Sequence, residues 1–62
     1  MNTVKFIVGS IEYYIDISRI VGYCPDTDNT TRIYIDHCDL SMIIDDRSID
    51  MVTNEITQAL KR

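Results

Sequence analysis

The sequence predicts an α+β fold: a small antiparallel sheet of four to five strands, built from two hairpins, with one C-terminal amphipathic helix packed on one face. Three observations lead to this prediction: helical periodicity near the C-terminus, strand-like alternation before it, and turn residues between the alternating segments. We expect the whole chain, residues 1–62, to form a single domain. A domain of this size has a small core, so a partner chain is an expected source of extra stability.

The helix is predicted over residues 48–61. Asp46 or Ser48 is placed to cap its first turn, and the basic residues Lys61 and Arg62 lie at the negative end of its dipole. The apolar residues recur at helical spacing and form one stripe: Ile49, Val52, Ile56, Ala59 and Leu60.

Residues 3–16 are predicted to form the first hairpin. Gly9-Ser10 suits a type II′ turn, because glycine fits the first central position of that turn. The resulting register places three apolar pairs on one face of the sheet, namely Val8 with Ile11, Phe6 with Tyr13, and Val4 with Ile15. The opposite face then carries Lys5, Ile7, Glu12, Tyr14 and Asp16.

The middle of the chain alternates between turns and strands. Residues 16–19 break the alternation and predict a turn in which Asp16 or Ser18 bonds to nearby amides. A short strand over 20–24, bulged at Gly22, and a polar loop over 25–30 should follow.

The second hairpin is predicted from residue 31 onward, with its loop at 36–39. In its first strand we expect Thr31, Ile33 and Ile35 to face the core. In its second strand we expect Leu40, Met42 and Ile44 to face the core, with Ser41 and Ile43 outside.

Composition excludes several classes of function. The formal net charge is −4, and the six basic residues form no stripe, so we expect no direct binding to nucleic acid. No targeting signal or apolar run long enough to span a membrane is evident, which predicts a cytoplasmic protein without a membrane partner.

The residues that metal and redox chemistry would need are sparse. Cys24 and Cys38 are expected to be free thiols, because nothing in the sequence indicates an oxidising compartment. His37 is the single histidine, and no close Cys or His pair accompanies it, so no metal or other cofactor is expected. The acidic loop after Pro25 lacks the glycine and the final glutamate of a calcium loop.

Catalysis is not expected either, and no catalytic residue is predicted. The sole histidine adjoins Cys38 on a loop, and Asp45 and Asp46 are interpreted as helix-cap residues. A chain of 62 residues also leaves little room for a substrate pocket beside a core.

The sheet face opposite the helix is the predicted functional surface. Such a face is normally polar, whereas here it carries isoleucine and tyrosine, which favours an interface over a solvated surface. Tyrosine is also common in half-exposed strands for reasons of β-propensity alone. The candidate interface residues are Ile7, Tyr14, Tyr23, Tyr34 and Ile43.

A resemblance to a known family rests on six segments, which are Phe6–Ile15, Arg19–Val21, Pro25–Thr27, Thr31–Ile35, Ile43–Ile44 and Ser48–Val52. In order and apolar spacing they resemble the small bacterial flagellar and swarming-motility proteins of the FlbD type. This chain has residues 36–39 where that family has Asn-Gly, and it is acidic where that family is basic. The resemblance implies a motility accessory role and no catalytic residue.

The sequence therefore predicts a non-enzymatic, self-associating module that binds another protein as a modulator or inhibitor. Small acidic proteins of this kind are encoded by phages and mobile elements. One alternative is an oligomer that sequesters a nucleotide or other small molecule, with Arg19, Arg32 or Arg47 and tyrosines as the ligand-binding residues. Another is acidic mimicry of nucleic acid, although the acids are spread over turns and the helix start.

Overall fold

Five strands and one C-terminal helix form the predicted α+β arrangement, as a computed structural model shows for residues 2–36 and 41–61. In chain order the elements are β1 (Thr3–Val8), β2 (Ile11–Asp16), a 3₁₀ turn (Ile17–Arg19), β3 (Ile20–Pro25), a second 3₁₀ turn (Thr27–Asn29), β4 (Thr31–Ile35), β5 (Met42–Asp45) and α1 (Ile49–Leu60). No helix in this described part of the chain has the length and apolar character that a membrane crossing requires.

The first hairpin has the predicted register. Val8 pairs with Ile11, and the pairing continues without a break to Thr3 and Asp16. Gly9 has a positive φ of 64°, as the first central residue of a type II′ turn requires. The register of β1 and β2 is therefore a local consequence of the turn and the alternation.

The turn after β2 is also as predicted. The Asp16 carboxylate accepts a hydrogen bond from the Ser18 amide at 3.0 Å and another from its hydroxyl at 2.9 Å. These two bonds lower the pKa of Asp16 below its ordinary value. The predicted bulge in β3 is present, and its extra residue is Val21, next to Gly22.

The strands are divided between two sheets instead of one. β1 and β2 form the first sheet, and β3, β4 and β5 form the second in that order. The sheets meet where β1 passes β5: the Asp46 amide donates to the Ile7 carbonyl at 2.9 Å, and the Ile7 amide donates to the Asp45 carboxylate at 2.8 Å. A side chain thus takes the place of a backbone acceptor at the joint.

The core lies where α1 covers β1 and the inner side of the second sheet. Ser48 occupies the helix N-cap position, without a capping bond from its side chain. Of the predicted helical stripe, Leu60 is exposed and Ile49 is half-buried. The buried apolar residues are Val4, Phe6, Ile33, Ile35, Ile43, Val52, Ile56 and Ala59.

The predicted orientation of β5 is wrong. Ile43 was expected outside and Met42 inside, but Ile43 is 6% exposed and Met42 is 44% exposed. Ile43 pairs directly with Ile33, and residues directly opposite in a sheet point to the same side, so the burial of Ile33 places Ile43 inside as well. Ile44 consequently faces outward, opposite Arg32. The expectation for Leu40 falls on residues 37–40, outside the described part of the chain.

Candidate interaction surfaces

The five candidate interface residues do not form one surface. Tyr14 is 62% exposed on the first sheet, and Tyr34 is 40% exposed on the second. Ile7 is half-buried at the joint between the sheets, and Tyr23 is half-buried against the core. Ile43 belongs to the core and is removed from the candidate surface.

The outward side of the second sheet carries an apolar surface around Tyr34. Tyr34 pairs with Met42 on one side and with Gly22 on the other. Gly22 has no side chain, and the space beside it is open, so the Tyr34 ring is uncovered on that side. We call this surface the Tyr34 face; it consists of Cys24, Arg32, Tyr34, Met42 and Ile44.

Two hydrogen bonds hold the Arg32 guanidinium in place on the Tyr34 face. Its guanidinium donates to the Tyr34 hydroxyl at 3.2 Å and to the Asp26 carboxylate at 2.9 Å. The hydrogen bond to Tyr34 and then the bond to Asp26 raise the pKa of Arg32 above its ordinary value. The ion pair is partly exposed, so it contributes little to stability and mainly fixes where the guanidinium and hydroxyl lie.

Sequence reasoning missed the most buried charge in the described part of the chain. Asp45 was interpreted as a helix-cap residue, but it is 0% exposed. The Arg47 guanidinium donates to both of its carboxylate oxygens, from Nε at 3.0 Å and from Nη2 at 2.9 Å. The amides of Arg47 and Ile7 each donate at 2.8 Å. Four hydrogen bonds therefore compensate the burial of this charge.

Arg47 extends this network to two further elements. Its Nη2 donates to the Lys5 carbonyl of β1 at 2.9 Å, and its Nη1 donates to Glu55 of α1 at 3.3 Å. The hydrogen bond to Asp45 raises the pKa of Arg47. We call the set Asp45, Arg47 and Glu55 the Asp45 cluster. It connects β1, β5 and α1, which is a structural role.

The Asp45 cluster predicts that stability falls in acid. Burial by itself raises the pKa of Asp45, but the hydrogen bonds from Arg47 and Ile7 outweigh burial and hold the pKa below its ordinary value. The folded state therefore binds this proton less readily than the unfolded state. The stabilisation from Asp45 is complete above about pH 3.9, the pKa of this carboxyl in the unfolded chain. It is lost as the pH falls through the lower pKa that Asp45 has in the folded chain.

Urea unfolding between pH 7 and pH 2 measures this effect. The midpoint should stay flat near neutrality and decline below about pH 4. Asp45→Asn should start from a lower midpoint and show a shallower decline, whereas Asp16→Asn, at an exposed turn, should keep most of the wild-type decline. An equally steep acid limb in wild type and Asp45→Asn would contradict the assignment.

The three candidate ligand-binding arginines have separate partners. Arg47 is held in the Asp45 cluster, Arg32 is held by Asp26 and Tyr34, and Arg19 donates to the Asp36 carbonyl at 3.1 Å. A depression of about 350 Å³ is lined by Thr3, Lys5, Tyr14 and Glu55, of which Lys5 and Glu55 accept hydrogen bonds from Arg47. Its lining is mostly polar, unlike the mainly apolar pockets that take small ligands.

The described residues contain little reactive chemistry. Cys24 is a free, half-buried thiol. Within residues 2–36 and 41–61, no three His, Cys, Asp or Glu side chains come together as a metal site. His37 and Cys38, considered above for metal binding, lie outside these residues.

Comparison with protein-family models, with curated proteins and with solved structures finds no match to this chain.

Proposed function

We propose that this chain is a non-enzymatic, self-associating module that binds another protein and modulates or inhibits it. The observation that carries the proposal is the exposure of aromatic and apolar side chains on the outward sides of both sheets. Tyr14 stands on the outward side of the first sheet, and Tyr34 and Met42 stand on the outward side of the second. Exposed patches of this kind on a small protein commonly mark contact surfaces.

The Tyr34 face has the composition of a binding surface. Tyrosine, methionine and arginine are enriched at the centres of protein interfaces. Arg32 is held in place by Asp26 and Tyr34, so a partner would meet a guanidinium and a ring whose positions are already set. Less side-chain freedom then has to be lost on binding.

The small core supports self-association. A single core of this size supplies roughly 3–5 kcal/mol, so contact with a second copy adds stability that the monomer lacks. The simplest arrangement is a symmetric dimer, in which one surface serves both subunits.

Sedimentation velocity over a micromolar concentration series tests this proposal. We expect the wild-type chain to associate reversibly and the Tyr14→Ser, Tyr34→Ser double variant to sediment as a monomer, because it removes the exposed ring from both sheets. Circular dichroism should show that the variant remains folded, since both residues lie on the surface. A wild-type chain that is monomeric throughout the series would refute self-association, and an unchanged double variant would show that the contact lies elsewhere.

A further inference from the structure

The two sheets leave two strand edges without a ladder partner in the described part of the chain, the outer edges of β2 and β3. The other two edges, of β1 and β5, meet at the joint beside Ile7. An unpaired edge offers a row of amide and carbonyl groups to another strand. Whether an edge can pair with another strand depends on whether bulges or proline residues obstruct it.

The β3 edge carries two features that obstruct pairing. Val21 is a bulge residue that interrupts the register, and Pro25 has no amide to donate. β2 carries neither feature: its six residues pair with β1 without a register shift and include no proline, glycine or lysine. The β2 edge is therefore better suited than the β3 edge to pair with another strand.

The side chains of β2 are also incompletely covered. Helix α1 packs against β1, and no residue of β2 is fully buried. Ile11 is 58% exposed, and Tyr13 and Ile15 are only partly buried although they point to the core side of the sheet. A strand added at this edge would extend the sheet and cover the three residues.

Resting on the self-association proposed above, we propose that β2 pairs antiparallel with β2 of a second copy, with Tyr13 opposite Tyr13. The two copies then form one continuous four-stranded sheet from their first hairpins. This pairing places Ile11 opposite Ile15 of the second copy on the core side. On the outward side it places Glu12 opposite Tyr14.

Among the β2–β2 registers that have two-fold symmetry, charge favours the one centred on Tyr13. Centring the pair on Glu12 sets Glu12 against itself, and centring it on Tyr14 sets Glu12 against Asp16; like charges directly opposite are unfavourable. Centring on Ile11 or Ile15 leaves at most three residues of each β2 in the pairing. A two-fold axis that passes between two residues would place inward-facing side chains of one strand opposite outward-facing side chains of the other.

The outward contact in this register uses an interaction that the chain already forms. Within one β2, the Tyr14 hydroxyl donates to the Glu12 carboxylate at 3.2 Å. The Tyr13-centred pair brings the same two groups opposite each other between copies, twice by symmetry. A single strand pair buries less area than a standard interface of about 1,200–2,000 Å², so the dimer should dissociate on dilution.

Charge substitution at Tyr14 tests the register by sedimentation velocity. Tyr14→Glu would face Glu12 of the second copy at two symmetric positions, and we expect it to weaken the dimer about tenfold. The fold should tolerate this change, since Lys5 of β1 lies directly opposite Tyr14 and supplies a positive partner. Adding Glu12→Lys to this variant should restore the dimer, because each new glutamate would then face a lysine.

Val21→Glu is the matched control, since it places the same charge at an exposed residue of β3, on the other sheet, and should leave the dimer unchanged. A concentration-dependent slowing of amide exchange in β2, absent from β3, should accompany association. A wild-type chain that never associates would overturn both this inference and the self-association in the proposed function. A wild-type dimer that Tyr14→Glu leaves intact, or that Val21→Glu dissociates, would overturn the β2 contact alone.

Discussion

Replacing Asp45 with alanine is expected to lower the free energy of unfolding by about 3–5 kcal/mol, the usual cost of removing one partner of a buried ion pair. The carboxylate is fully buried and accepts four hydrogen bonds. Its loss leaves the amides of Ile7 and Arg47 without an acceptor and the Arg47 guanidinium with only Glu55 and the Lys5 carbonyl. At about 0.05–0.15 kcal/mol per residue, the total stability of such a chain is roughly 3–9 kcal/mol. The loss is therefore a large fraction of the total stability, and urea titration followed by circular dichroism should show a strongly lowered midpoint.

The adjacent residue supplies the control for this prediction. Asp46 is exposed, and only its backbone amide takes part in the joint between the sheets. Asp46→Ala should change stability by no more than about 0.5 kcal/mol.

A double-mutant cycle with Asp45→Asn and Arg47→Met should give a coupling within the range of about 0.5–3 kcal/mol that contacting residues show. Additive effects would mean that the two side chains do not support each other.

Ile43→Ala is expected to lower the free energy of unfolding by about 2–5 kcal/mol, because it opens a cavity in the core. Ile43 is buried opposite Ile33, where the surrounding side chains come from two sheets and the helix. The neighbouring change Met42→Ala should cost about 0.5 kcal/mol or less, since this side chain stands on the Tyr34 face. Thermal or urea unfolding of both variants measures the difference.

These two neighbours also decide which side of β5 is available for binding. If Met42→Ala destabilised the chain and Ile43→Ala did not, the orientation of β5 would be reversed and Ile43 would return to the candidate interface. The comparison controls for position in the chain, because the residues are adjacent in the same strand.

Local sequence patterns were sufficient to predict the first hairpin and the helix. The turn at Gly9-Ser10 and the alternation on both sides of it were sufficient for the register of β1 and β2, and helical spacing was sufficient for α1. These patterns extend over a few residues and repeat with the period of the element, so no distant contact is needed to interpret them. Tyr14 and Tyr34 were placed outward on the same basis, and both are exposed.

Contacts between elements that are distant in sequence set the orientation of β5, the division into two sheets and the role of Asp45. Ile43 and Ile44 are both apolar, so alternation cannot tell which of them faces inward; the pairing of Ile43 with the buried Ile33 does. Asp45 accepts from the Ile7 amide, 38 residues away in sequence. Arg47, two residues away, supplies the other three hydrogen bonds. A buried carboxylate needs donors to converge on it, and this convergence with β1 is a property of the folded chain.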